Sequence, residues 1–453
     1  MEPAAAGRVR ERPPLLPRLG SAAWLALGMN ALSNVGSGLT VPFLLIYLNH
    51  IRGLSLTAAG LILALSGFTG IASTPLGGWV IDRIGPLHGF VIGLVLAGLA
   101  MGGFGFVTTP EAAMACALVY GAANGFTYSG LSTLLAGLVP ATERSAVFGL
   151  RFTTANLGFG AGALISGLVL DFHLPVTFTA VFLGDAVSYL LFAVSLLALQ
   201  GRLHTPVEQV PSPSMEEGPG RGAGGYRTVL RDRVLVIALL LQTVFVFVLF
   251  ESESAFPVWA VQLVPSTPAV VGVAFAANML GLVVSQLFVL RLMRGHTRTG
   301  AAALGGLVLA ITWGLILAAA FLPSRLERAA VMVLALGIMG LGAALLSPTL
   351  VAIVNDIAPN NLRGRYNAVY HISAQVAPLL APAVAGWTLG HSLGVPLMAA
   401  LSGASLAAAG STLWFGRIVP RSANLVPAPE PQRQRPAKPP TDSTPTVSFA
   451  GGE

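Results

Sequence analysis

The chain has 453 residues, of which 54% are hydrophobic and only 9% charged, with 25 Lys and Arg against 18 Asp and Glu. Roughly a quarter of an ordinary soluble domain is charged, so a mean hydropathy of +0.77 excludes a soluble globular protein and points to one that crosses a membrane many times. The net charge of +7 then marks loops on one side of the bilayer rather than a nucleic-acid partner. All basic residues but Lys438 are Arg, and Ala, Gly and Pro are abundant, a bias that suggests a GC-rich bacterial genome. The single cysteine, Cys116, excludes an intramolecular disulfide.

The N-terminal stretch is basic and then apolar, like a signal peptide, but its apolar run continues to Tyr47. That is too long for a cleaved signal, so it reads as an uncleaved first span with a cytoplasmic segment, residues 1–20, before it. Apolar stretches of about 20 residues or more follow at 21–48, 57–81, 87–108, 112–139, 145–170, 176–199, 233–263, 269–292, 300–322, 328–354, 366–390 and 394–417, twelve in all. With the N-terminus inside, only Arg52, Arg325 and Arg328 fall on outer loops, so both termini are expected in the cytoplasm. Residues 200–232 are polar and rich in Pro and Gly, and read as a flexible cytoplasmic linker between six-helix bundles at 21–199 and 233–418. The tail, 419–453, is Pro-rich, polar and expected to be disordered.

The two halves repeat. Residues 138–167 overlay 357–386 without gaps at an offset of 219, pairing Pro140 with Pro359, Arg144 with Arg363 and Gly167 with Gly386. Extended backwards, Gly121 meets Gly340. A parallel repeat of two six-helix halves is a transporter architecture. The first and seventh spans align through Pro42 and Pro257, which sets Glu251 and Glu253 opposite Gly36 and Gly38. The seventh helix should therefore continue past Phe250 and hold both carboxyls inside the membrane, where ionisable groups are costly and functional by default.

Residues 78–85 read GWVIDRIG between the second and third spans. Gly78, Asp82, Arg83 and Gly85 resemble the signature of the major facilitator superfamily, although Pro86 and Leu87 stand where its basic pair belongs. The physics suits a switch: Gly permits a tight turn, and an acid–base pair can bind helix ends in one conformer and release them in the other. In the fifth span Gly149, Gly158, Gly162 and Gly167 fall on the glycine spacing of drug/proton antiporters, while Ala163 and Ser166 replace a Pro and a Gly. Small residues there let helices approach closely. The arginine often found in the fourth span, four residues before a Gly, is Ala117 here, with Gly121 in register. The resemblance implies an all-α membrane protein of twelve helices in two pseudo-symmetric six-helix bundles, with spans one, four, seven and ten lining a central cavity and span six outside it.

Three acids are submerged: Asp185, Glu251 and Glu253. Glu251 and Glu253 are two residues apart, about 200° around a regular helix, so they cannot share one cavity, and Glu253 lies on the side of Gln242. A carboxyl facing the cavity can carry a proton between compartments; one at a wet mouth or paired with Arg is structural. Asn30, Asn34 and Ser37 make one stripe on span one, and Asn124 and Tyr128 another on span four. Arg151 on span five and His371 with Gln375 on span eleven complete the candidate substrate path. Each is equally an ordinary interhelical hydrogen-bonding group.

No nucleotide-binding loop with a Lys, no His-Glu-x-x-His and no Cys/His cluster occurs, so no cofactor or metal is expected. The GFGAG at 158–162 lies in a membrane helix without a preceding strand and reads as packing. The expectation is a monomeric secondary transporter of the bacterial plasma membrane. It would exchange protons for small amphipathic or cationic molecules; the alternatives are a facilitator or importer of a metabolite and an intramembrane enzyme.

Overall fold

The computed structural model describes residues 19–140, 142–198, 200, 226–265 and 267–426. They form twelve long helices. In the first half these are α1 (Ser21–Ile51), α2 (Leu56–Ile84), α3 (Pro86–Phe104), α4 (Pro110–Leu138), α5 (Arg144–Val169) and α6 (Pro175–Ala198). In the second they are α7 (Arg233–Leu263), α8 (Pro268–Leu292), α9 (Arg298–Ala319), α10 (Arg325–Ile357), α11 (Arg363–Gly390) and α12 (Gly394–Phe415). Eleven are apolar enough over 18 residues to cross a bilayer, and α4, 29 residues long, is the twelfth. Leu99, Leu168, Val194, Leu240, Leu287 and Leu304 stand exposed on the outside, as lipid-facing side chains do.

Local sequence sets the helix ends. Ser55, Thr109, Thr297 and Ser324 each accept a backbone N–H of the first turn, and Glu327 completes a capping box with Ser324. Asp232 Oδ1 caps α7 through Val234 N at 2.9 Å, while its Oδ2 accepts the Tyr366 hydroxyl at 2.8 Å. Between α2 and α3 the connection is Gly85 alone, at φ 84°, where a side chain would be strained. The signature GWVIDRIG is therefore the last two turns of α2 and a one-residue corner rather than an extended loop.

Helix α1 is regular to Thr40, then tightens to a 3₁₀ turn over Val41–Phe43 and widens to a π turn over Tyr47–Ile51. Pro42 lacks an N–H and its ring opposes the preceding turn, which accounts for the break. Pro257 in α7 is accommodated within a continuous 31-residue helix, so Glu251 and Glu253 do lie well inside it.

The packing repeats between halves. Helix α1 lies on α5 and α6 as α7 lies on α11 and α12; α2 packs on α4 as α8 packs on α10; α3 contacts α4 and α6 as α9 contacts α10 and α12. Repeat-related Gly121 and Gly340 occupy equivalent crossings, against the α2 backbone at Ser66 and the α8 backbone at Asn278 and Leu282. The two largest contacts between the halves are α2 with α11 and α5 with α8, and the Val41–Ile46 stretch of α1 also touches α7. The two largest are also repeat-related: Gly167 abuts Gly272, and Gly386 abuts Gly60.

We call the face where α1 starts proximal and the opposite face distal. These two glycine-to-glycine contacts lie toward the distal face, where backbone meets backbone, and Gly67 meets the α11 backbone at Pro378 nearer mid-helix. On the proximal side Gly78 and Gly149 have open space around them, and His371 and Gln375 are exposed. The glycine seam between the halves thus lies toward the distal face.

Within the tail expected to be disordered, residues 419–426 are ordered. A short helix, Arg421–Asn424, docks beside the α8–α9 corner, where Asn424 Oδ1 accepts Thr299 N at 3.0 Å and Thr299 Oγ1 at 3.1 Å. Gly295 and His296 bond to Val426, and Arg298 bridges Asp356 and the Ala423 carbonyl. The rest of the tail, 427–453, and residues 1–18 and 201–225 lie outside the described residues; of the linker, Tyr226–Val229 is helical. Asn424→Ala strands two buried donors at the start of α9, a loss of about 1–3 kcal/mol. Limited proteolysis should then cleave near 420–426 faster, with the transmembrane core unaffected.

Candidate functional site

A central cavity of about 510 Å³ opens between the halves. Helix α1 contributes Asn30, Asn34 and Ser37, α4 contributes Tyr120 and Asn124, and α5 contributes Arg151. The second half supplies Phe250 and Glu253 from α7 and Gln375 from α11. Phe90, Phe104, Phe159 and Phe192 add apolar walls. Glu253 is the one acidic and Arg151 the one basic side chain among the described residues that line it. Such a mixture of aromatic faces and few polar groups suits an amphipathic small molecule.

The polar groups are held by their helices. Asn34 donates to the Asn30 carbonyl at 2.7 Å, and Asn30 itself is buried with its amide nitrogen unpartnered. Ser37 reaches the Tyr189 hydroxyl on α6 at 2.9 Å. Arg151 donates to Ser132 Oγ on α4 at 3.2 Å. Asn124 is exposed to the cavity; the side chain of Tyr128, the other residue of that stripe, lies outside the described residues.

Glu251 and Glu253 part as their spacing requires. Glu253 faces the cavity and is half-buried, whereas Glu251 is 0% exposed, away from the cavity, with both carboxylate oxygens unpartnered. Asp185 on α6 is likewise 0% exposed and outside the cavity lining. It accepts a hydrogen bond from Thr40 Oγ1 at 2.7 Å and leaves Oδ1 unpartnered. Its neighbour on α1 is Gly36, the residue that aligns with Glu251 on α7.

Other candidates lie elsewhere. Gln242 is half-buried and His371 exposed, and neither lines the cavity; the His371 ring stands beside Tyr370. Asp82 and Arg83 are exposed, Arg83 stacks 4.0 Å over the Trp79 ring, and no ion pair among the described residues includes Asp82. Gly158 and Gly162 of α5 press on the α1 backbone at Ala31 and Val35, and Gly167 on α8, but Gly149 touches nothing within 4 Å. Tyr120 and Tyr189 are cavity residues that the sequence reading missed. Their signal was spacing: Tyr120 precedes Asn124 by one turn, and Tyr189 follows Asp185 by one turn.

The chain matches the model of the Major Facilitator Superfamily over residues 26–310 and again over 254–449. Among curated proteins it is similar to the uncharacterized MFS-type transporter YqjV of Bacillus subtilis, 23% identical over 366 residues, 80% of this chain and 85% of that one. It is also similar to the quinolone resistance protein NorA of Staphylococcus aureus, 23% identical over 244 residues, 54% of this chain and 60% of that one. Among solved structures, a POT family transporter in complex with a thioalcohol conjugated peptide superposes with a TM-score of 0.73 at 15% identity, covering 89% of this chain and 99% of that one. The nucleoside transporter NupG gives 0.65 at 12% identity, covering 86% and 99%. These likenesses establish the fold. The chain is a membrane transporter, not an enzyme, and belongs to the Major Facilitator Superfamily.

Proposed function

We propose that the protein is a proton-coupled exporter of small amphipathic or cationic compounds, working by alternating access in a bacterial plasma membrane as a monomer. The carrying observation is Glu253, the one carboxyl lining the cavity, placed on a helix of the second half across from Asn30, Asn34 and Asn124 of the first. A carboxyl there binds either a proton or a cationic substrate, and competition between the two is the simplest exchange device. The similarity to a quinolone resistance protein supports export.

In this reading the proximal face is cytoplasmic, as the distribution of arginines supports, and the conformer described is open to the cytoplasm. The bundles 21–199 and 233–418, joined by the linker 200–232, rock about the cavity. Asp82 and Arg83, unengaged with the second half here, then hold its proximal helix ends when the cavity opens outward.

Efflux of ethidium from cells expressing the protein tests this. Export should exceed that of cells lacking it and collapse on addition of an uncoupler. Export that persists in full with the uncoupler present contradicts proton coupling, and flux that only follows the ethidium gradient identifies a facilitator.

A further inference from the structure

The cavity leaves one buried carboxyl of the first half unexplained. Asp185 is wholly buried, accepts from Thr40, and keeps one oxygen without a partner. A buried carboxylate persists when a cation pairs with it or several donors satisfy it. No ion pair among the described residues includes Asp185. The groups that face it are hydroxyls: Thr40 from α1, Ser188 and Tyr189 from its own helix, and Tyr120 from α4. Helix α3 meets α6 near it through Gly98 and Gly102 against Ala186 and through Phe104 against Phe182.

Space decides which cation fits. Gly36 closes over the free oxygen so tightly that a Cβ there would stand 2.5 Å from Asp185 Oδ1 and against Ser188 Oγ. A hard metal ion needs about six or more oxygens at about 2.3–2.6 Å, which this packing does not offer. A proton needs one lone pair and no added volume.

A route to the cavity is also present. Tyr189 pairs with Ser37 at 2.9 Å, and both line the cavity in front of Asp185. Tyr120 and Asn124 of α4 and Glu253 of α7 line the same cavity.

We propose that Asp185 is a second proton-binding group, located in the first half and loaded from the cavity past Ser37 and Tyr189. Loading forms one O–H bond on the Asp185 carboxyl and breaks one on a hydronium in the cavity, which leaves as water. The proposal rests on the proton-coupled reading, and implies that a cycle can carry two protons, one per half.

Infrared difference spectra of the full chain in lipid vesicles, recorded on stepping the pH between about 5 and 9, test it without any substrate. The protonated-carboxyl band of the wild-type protein should contain one component that Asp185→Asn removes and another that Glu253→Gln removes. Any component from Glu251 is unchanged by either substitution. If the Asp185→Asn spectrum superimposes on wild type, the proposal is wrong. Should Asp185→Asn fail to reach the membrane, Thr40→Val retains the carboxyl and removes its donor. It must move the pH at which one component disappears, and an unmoved spectrum equally overturns the proposal. Failure of the exporter reading shows separately, as uncoupler-insensitive ethidium flux in the wild-type protein.

Discussion

Glu253→Gln should lower pH-gradient-driven ethidium transport into reconstituted vesicles by at least about tenfold, equivalent to about 1.4 kcal/mol of coupling. The amide keeps the size and polarity of the side chain in the cavity wall but can neither release a proton nor attract a cation. Substrate exchange in the absence of a pH gradient should survive better than gradient-driven transport, because the other lining groups remain. Glu251→Gln is the control. Its side chain is buried and does not line the cavity, so the change should alter gradient-driven transport less than about twofold, within the usual effect of a non-contacting substitution. Equal losses in the two variants would mean that position in the cavity does not matter. Transport assays at matched membrane yields decide between them.

Gly272→Leu should shift the protein toward a distally open conformer. Gly272 of α8 lies against Ala163 and Gly167 of α5, and even a Cβ would fall 2.8 Å from the Gly167 Cα. The added volume has no flexible side chain to displace, only backbone. Overpacking of this kind costs about 1–3 kcal/mol, which shifts a two-state population about 5–150-fold. The penalty applies only when the halves meet, so opening the seam relieves it. Spin labels on the distal loops 170–174 and 320–324 should report a longer distance in the variant. The contrast is Gly162→Leu, where the clash is with Val35 of α1 inside the same half. No rocking motion relieves that contact, so membrane yield should fall and the surviving protein should show the wild-type distance. A wild-type distance in Gly272→Leu would show that the seam does not hold the distal closure.

Much of the architecture is legible in the sequence because the bilayer imposes one simple rule, about 20 apolar residues per crossing. The offset of 219 between Gly121 and Gly340, or Gly167 and Gly386, carries more: each pair sits at an equivalent crossing in the folded protein. Spacing alone indicates that Glu251 and Glu253 face different ways. Which one meets the cavity depends on where α11 lies against α7, a tertiary relation that the spacing does not encode. The same limit explains Tyr120 and Tyr189, whose hydroxyls matter only once α4 and α6 are set beside α1. Gln242 shows the converse, since the right side of a helix at the wrong depth does not reach the cavity. Composition misleads at the tail, where a polar, Pro-rich stretch begins with a docked turn because Asn424 finds the unpaired first-turn N–H of α9.

One acidic position in α7, Glu253, should be reached from each side of the membrane in turn. Labelling of Glu253→Cys with a membrane-impermeant thiol reagent, in a background lacking Cys116, measures this directly. Labelling is expected from the cytoplasmic face in the otherwise wild-type protein, and from the external face once Gly272→Leu is added. Labelling from the external face in both backgrounds, or from neither face in either, would contradict it.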